Sequence, residues 1–266
     1  MKIVFFGSTS DSVLVLQKLS DVVAVVTQPP KPVGRKQTIT PTPVEQWAKS
    51  HNIPVTTLTA VTPFKPDLLV SASYGEKIPA ELITMAKFGG LNVHPSLLPR
   101  WRGGDPVPWA IISGDHQIGV TVVTLSEQFD RGKIIAQQKI PITDHDTSGP
   151  LRTKLFGLGA ELILESLPDY LSGKNKGTPQ KTEDQPYAKR FTREDGFEPW
   201  EKIINPGEEE RLNRKFRALH PWPGLWTRFR ENRLKILGFD HTPTLVQLEG
   251  KTPISWEQFK TAYFTS

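Results

Sequence analysis

The feature that most constrains this chain is a rhythm of short apolar runs alternating with stretches of helical period. KIVFF at 2–6 is followed by Gly7, a polar turn and the helix-like SVLVLQKL. VVAVVT at 22–27 precedes a stretch that ends helically at WAKSH, 47–51. PVTTL, DLLVSAS and GGLNVH add three strand-length runs, with the helix-like IPAELITMA between the last two. Strands alternating with helices build βαβ units, so the expected fold is α/β, a Rossmann-like, doubly wound and mostly parallel sheet. In such sheets functional groups collect at the carboxyl ends of the strands. GLNVH ends there, on an Asn and a His followed by PSLLPRWRG.

Downstream, PVPWAIISG (106–114) reads as a helix, and IGVTVVTLSE and GKIIAQQKI as a hairpin bridged by QFDRG. Residues 147–173 form a long amphipathic helix entered through Thr147 or Ser148 as cap. The polar stretch from 174 to about 204 lacks a sustained period and reads as a linker. GEEERLNRKFRAL is then a short helix, and WTRFR, RLKILGF and TLVQLEG are strands. The expected division is a domain over 1–176, a linker over 177–204 and a small β domain over 205–266.

Composition removes several classes of function. There is no cysteine, which excludes disulfides and thiolate metal sites. HExxH, DxDxDG and GxxxxGK[ST] motifs do not occur, and Gly7-Ser8-Thr9-Ser10 is a tight strand-to-helix turn rather than a dinucleotide fingerprint. No apolar run approaches the roughly 20 residues of a membrane span. MKIVFFG is too short for a signal-peptide core. The expectation is a cytoplasmic, metal-free monomer with no membrane partner.

The net charge of +5 is unevenly placed. Residues 211–235 hold eight basic side chains, among them Arg217, Arg228, Arg230 and Arg233, against Glu231 alone, a net +7. Interleaved with Phe216, Trp222, Trp226 and Phe229, this suits a polyanion-facing surface. A solvated helix and hairpin whose charge offsets the acidic run at 208–210 reads equally well from charge alone.

Asn92 and His94 are two apart on a strand, so their side chains leave the same face, and Pro95 stops further ladder pairing. An amide and an imidazole at a strand end can both donate to an oxygen that gains charge, although a lone N-x-H is as readily a satisfied strand-end His. Asp130, in the hairpin bend, would orient His94 if it stood beside it. Spacing alone leaves it an Asp in a β-turn.

NVHPSLLPRWRGGDPVPWAIISGD, with IGVTVV and the FDRGKII bend, resembles the folate-dependent formyltransferases, and within them the enzymes acting on methionyl-tRNA. The likeness extends to TQPPKPVGRKQTITPTPVEQWA (27–48), SYGEKIP (73–79), YAKRFTREDGFEPW (187–200), RALHPWPGLWT (217–227) and VQLEGKTPISWEQF (246–259). It implies formyl transfer from 10-formyltetrahydrofolate to the α-amine of initiator methionyl-tRNA for translation initiation, with Asn92, His94 and Asp130 as the catalytic group. It further implies folate contacts at Ser73, Tyr74, Gly75, Ser96, Leu97, Leu98, Pro99, Asp144 and Asp146. Arg35 and Lys36, with Arg217, Arg228, Arg230 and Arg233, would meet tRNA, and for Arg35 an exposed loop charge is the alternative. A sugar N-formyltransferase acting on a nucleotide-linked amino sugar and a non-catalytic RNA-binding relative remain as other readings. Three features depart from the family pattern. Gly104-Asp105 replaces two alanines, and the basic loop reads only GRKQT. Only DHTP (240–243) joins two strands where the family has more, implying a shortened OB-like barrel.

Overall fold

In the computed structural model, described for residues 1–34, 36–181 and 183–264, the chain forms two compact units. One comprises Met1–Pro106, Gln117–Ile140 and Arg152–Ala188. The other comprises Val107–His116, Pro141–Leu151 and Lys189–Ser266, so each unit is discontinuous in sequence.

The first unit is built on a seven-stranded sheet. Its order is Ile134–Pro141, Gln117–Thr124, Gly90–His94, Leu68–Ala72, Ile3–Gly7, Val22–Val26 and Val55–Thr56. The five strands from Gly90–His94 to Val55–Thr56 are parallel. Gln117–Thr124 joins antiparallel, so the sheet is mixed. The order runs outward from Ile3–Gly7 in both directions, the doubly wound arrangement expected from the sequence rhythm. Ile3–Gly7 and Leu68–Ala72 are buried along their whole length, which is why they read as continuous rather than alternating apolar runs. PVTTL contributes less strand than its composition suggests. Only Val55 and Thr56 pair, and the chain then turns through Leu58–Ala60 and Thr62–Phe64.

Gly7 is a packing requirement. A Cβ there would stand 2.6 Å from the Phe5 ring and 2.9 Å from the Ala72 carbonyl. Thr9 caps the Ser10–Leu16 helix in a reciprocal box with Ser12, whose hydroxyl also donates to Ala72 O at 2.6 Å. The helix start is thereby pinned across the end of the neighbouring strand. The polar stretch after residue 174 is ordered against this unit. Thr178 bridges Ile134, and Tyr187–Ala188 pairs in parallel with Arg102–Gly103.

The second unit carries four strands in sequential order, Leu225–Phe229, Asn232–Asp240, Thr242–Leu248 and Ile254–Ser255, each antiparallel to the next. Among the described residues this is an open meander. Its longest hairpin reverses at His241, between the paired Asp240 and Thr242. Leu234, Ile236 and Val246 share a core with Leu212 of the Glu209–Leu219 helix and Phe259 of the Trp256–Phe264 helix. Helices, rather than further strands, cover the apolar face. No helix among the described residues is long and apolar enough to cross a membrane.

Much of the basic window is consumed internally. Glu198, 5% exposed, receives Arg211 Nη1 and Nη2 at 2.7 and 2.9 Å and Lys215 Nζ at 2.7 Å. Arg211 also pairs with Glu208. Burial pushes the Glu198 carboxyl up, but the Arg211 and Lys215 hydrogen bonds outweigh it and hold the group down to about 2. A carboxyl lowered from its ordinary value near 4.5 stabilises the fold fully above that value and loses its contribution as pH falls toward about 2. Glu198→Gln therefore should cost about 2–3 kcal/mol near neutral pH, below the usual loss for a fully buried pair because the Arg211 side chain keeps 41% exposure. Denaturant unfolding should show this gap closing as pH falls through that window; a pH-independent gap would contradict the pairing.

Candidate active site

The Gly90–His94 strand ends between a parallel and an antiparallel neighbour, with Asn92 opposite Ser71 on one side and Val123 on the other. Gln117–Thr124 ends opposite Leu91, and the hairpin that leaves it carries Asp130 back along Gly90–His94. Asn92 Nδ2 donates to Asp130 Oδ1 at 3.3 Å, and His94 Nδ1 lies 3.5 Å from the same oxygen. Asp130 Oδ2 accepts the Gly103 amide at 3.1 Å. The His94 and Asp130 side chains are only 6% and 10% exposed. His94 Nε2 lies 2.9 Å from the Trp101 carbonyl, which can only accept, so Nε2 carries a hydrogen and Nδ1 is the nitrogen turned toward the carboxylate. The expected trio is thus brought together across 38 residues of chain.

The SLLP loop is fastened from the sheet. Thr121 Oγ1 donates to Ser96 O at 2.6 Å and accepts the Leu98 amide at 3.1 Å. Gln137 Nε2 donates to Leu98 O at 2.9 Å, and the Leu98–Pro99 peptide is cis. Ser96 is fully buried, its hydroxyl donates to Arg100 O and its amide to His94 O, so its polar groups are already engaged within the loop. Leu98 is 3% exposed, and the Leu97 side chain packs where a Cβ on Gly119 would fall. Burial lowers the Arg102 guanidinium from its ordinary value, with Arg131 acting in the same direction and Asp130 and Tyr187 against it.

Ser73 and Gly75, at φ +48° and +87°, turn the chain sharply after Leu68–Ala72. Because that strand is parallel to Gly90–His94 and its neighbour, the turn opens at the same sheet end as Asn92. The Tyr74 side chain is unavailable there. It is 5% exposed, lies edge-on to Phe6 and donates to Glu76, and burial with the Glu76 charge and hydrogen bond pushes its hydroxyl up to about 12.

Asp144 and Asp146 belong to the second unit, where Asp146 Oδ2 accepts the Thr143 amide and hydroxyl at 2.7 and 2.8 Å. Arg217 is engaged within its own unit. It is 9% exposed and donates to Asn213 Oδ1 and to the carbonyls of Thr143 and Asp146, because a guanidinium at that depth must satisfy its donors locally. Lys36 and Arg228 are exposed, and Arg35 lies outside the described residues. Arg230 reaches Tyr263 O at 3.4 Å. Arg233 stacks 4.9 Å over Trp226 and stands directly opposite Arg228 in the hairpin.

Sequence reasoning missed the groups that hold the trio through backbone atoms. These are the Trp101 carbonyl, the Gly103 amide and Gln180, whose Nε2 donates to Asp130 O and Gly132 O. Only the Asp-Arg-Gly bend carried a local signal.

Residues 1–167 match the formyl transferase family model, and residues 207–252 match that of the formyl transferase C-terminal domain. The chain belongs to the formyl transferase family. Among curated proteins it is similar to the methionyl-tRNA formyltransferases. It is 43% identical to that of Listeria monocytogenes over 247 residues, 88% of this chain and 78% of the relative. It is 39% identical to that of Enterococcus faecalis over 248 residues, with the same coverage of both. Among solved structures, the N-formyltransferase of Helicobacter canadensis, in complex with folinic acid and dTDP-3-aminofucose, superposes with a TM-score of 0.68 at 18% identity, over 93% of this chain and 95% of that one. HypX of Aquifex aeolicus, in complex with tetrahydrofolic acid, superposes with a TM-score of 0.63 at 17% identity, over 100% of this chain and 48% of its own length. These distant likenesses extend to the fold alone.

Gly103 leaves no room for a side chain. At φ +116° a Cβ would stand 2.5 Å from the Ala188 carbonyl, in a region side chains rarely adopt. Gly103→Ala should destabilise the chain by about 2–4 kcal/mol through strain and overpacking. A lowered urea midpoint with unchanged slope would show it; a wild-type midpoint would refute the close approach.

Proposed function

We propose that this chain transfers the formyl group of 10-formyltetrahydrofolate to the α-amino group of initiator methionyl-tRNA. The observation that carries the chemistry is the convergence of Asn92 and His94 on one oxygen of Asp130 at a strand end. The acceptor rests on identities of 39–43% with methionyl-tRNA formyltransferases over most of the chain.

The amine nitrogen attacks the formyl carbon, whose oxygen takes up charge. The N–C bond to the acceptor forms, the bond from carbon to folate N10 breaks, and the amine proton ends on N10. Asn92 Nδ2 and, in its doubly protonated form, His94 Nδ1 donate to the charged oxygen, while Asp130 takes the proton in transit. The Ser73–Gly75 turn suits the folate, since its backbone groups emerge at the same sheet end as Asn92. Residues 1–176 act as the catalytic domain, 177–204 as the connection, and 205–266 as the tRNA-facing domain. Arg228 and Arg233 support the last role, because two like charges opposed on a hairpin repel and an incoming phosphate relieves that cost.

Asp130→Asn should keep folate affinity but lower turnover by about two orders of magnitude or more, the usual scale for such groups. Wild-type turnover would remove Asp130 from the mechanism. Labelled formyl donor should be consumed with methionyl-tRNA and not with a panel of nucleotide-linked amino sugars; the reverse would overturn the acceptor. Neutralising Arg228, Arg230 and Arg233 together should weaken tRNA binding and flatten its log–log salt dependence by roughly 0.7–0.9 for every phosphate that is no longer neutralised. An unchanged slope would assign tRNA binding to other residues.

A further inference from the structure

We propose that Gln180 is a positioning residue for the catalytic carboxylate, an inference that rests on the reading of Asp130 given above. Gln180 lies in a stretch that reads as linker, 50 residues from Asp130. Its Nε2 donates to the backbone carbonyls of both Asp130 and Gly132, each at 2.7 Å. These carbonyls bracket the bend that turns the Asp130 side chain onto Asn92 and His94.

Two features separate this contact from ordinary loop packing. Asp130 sits at φ +56°, a left-handed conformation that a side-chain-bearing residue holds only when its surroundings enforce it. Gln180 supplies that enforcement from outside the hairpin. Its Oε1 is buried and, among the described residues, has no hydrogen-bond partner. The opposite amide orientation would set an oxygen against two carbonyls, so the observed one follows from holding the bend and leaves Oε1 unsatisfied. An unsatisfied buried acceptor costs stability, so general stability is a poor account of this residue.

The segment around it supplies a control. Asn175 Nδ2 donates to Ile135 O at 3.0 Å and Asn175 Oδ1 accepts the Gly177 amide at 3.0 Å, tying down the same stretch without touching the bend. Asn175→Ala should lower the unfolding midpoint while kcat stays within about twofold of wild type.

Gln180→Ala should lower kcat by about tenfold or more with KM for both substrates little changed, because the carboxylate loses its placement rather than the substrates their contacts. Introduced into Asp130→Asn, it should add less than about a twofold further loss, since the two act as a unit. Gln180→Asn, which keeps both amide donors on a shorter arm, should fall between wild type and Gln180→Ala, and it carries the same comparison if the alanine variant fails to fold. Three results overturn the proposal: wild-type kcat in Gln180→Ala, an equal fold-loss in the Asp130→Asn background, or an Asn175→Ala loss of kcat as large as that of Gln180→Ala. If wild type formylates an amino sugar instead of methionyl-tRNA, the acceptor reading fails, and the same ratios measured on that acceptor still decide the role of Gln180.

Discussion

Everything in the first unit that bears on chemistry depends on one carboxylate being held at the end of the Gly90–His94 strand. Asp130 Oδ1 serves Asn92 and His94, and Oδ2 takes the Gly103 amide. A carboxylate with these partners cannot rotate without giving up a donor, so its direction is set by two separate stretches of chain. The antiparallel pairing of Gln117–Thr124 beside Gly90–His94 makes this possible. The register runs from Thr121 opposite His94 to Thr124 opposite Leu91, so the following hairpin departs beside the start of Gly90–His94 and not beyond its end. Its bend folds back along the strand and sets Asp130 against Asn92 and His94.

The second unit shows how poorly a charge count describes a surface. Of the eight cations in 211–235, Arg211 and Lys215 are drawn onto Glu198, and Arg217 onto backbone carbonyls. The charge left for a partner concentrates on the Leu225–Phe229 and Asn232–Asp240 hairpin, where Arg228 faces Arg233. Burial of Lys215 and Arg217 is compensated by fixed acceptors, as the cost of desolvating a charge requires, while Arg211 stays partly exposed. The outward cations are held more loosely, Arg214 beside the exposed Glu210 and Arg230 reaching Tyr263 O at 3.4 Å.

Part of this was legible in the chain itself. The doubly wound sheet showed because strands buried on both faces leave uninterrupted apolar runs, and Asn92 and His94 showed because strand period puts them on one face. Asp130 was not placed by spacing; only resemblance joined it to His94. Arg217 has basic sequence neighbours, and its burial is a tertiary fact that no local pattern carries. Gln180 and the Trp101 carbonyl were invisible for a different reason. They act on or through backbone atoms, and a backbone group is the same at every position of a sequence.

That dependence on backbone also explains the loop after the SLLP stretch. Trp101 and Gly103, two residues apart, address the two members of the His94–Asp130 pair: a carbonyl sets which imidazole nitrogen carries hydrogen, and an amide holds the carboxylate. Both sit at positive φ, +59° for Trp101 and +116° for Gly103. Trp101 bears the strain of that conformation, on the order of 1–3 kcal/mol for a residue with a side chain, so the loop must be over-determined from outside. The restraint comes from residues 186–188, whose carbonyls accept the Trp101, Gly104 and Asp105 amides and whose strand pairs with Arg102–Gly103. A loop anchored in this way has its path set by main-chain hydrogen bonds, the Gly104 and Asp105 amides among them.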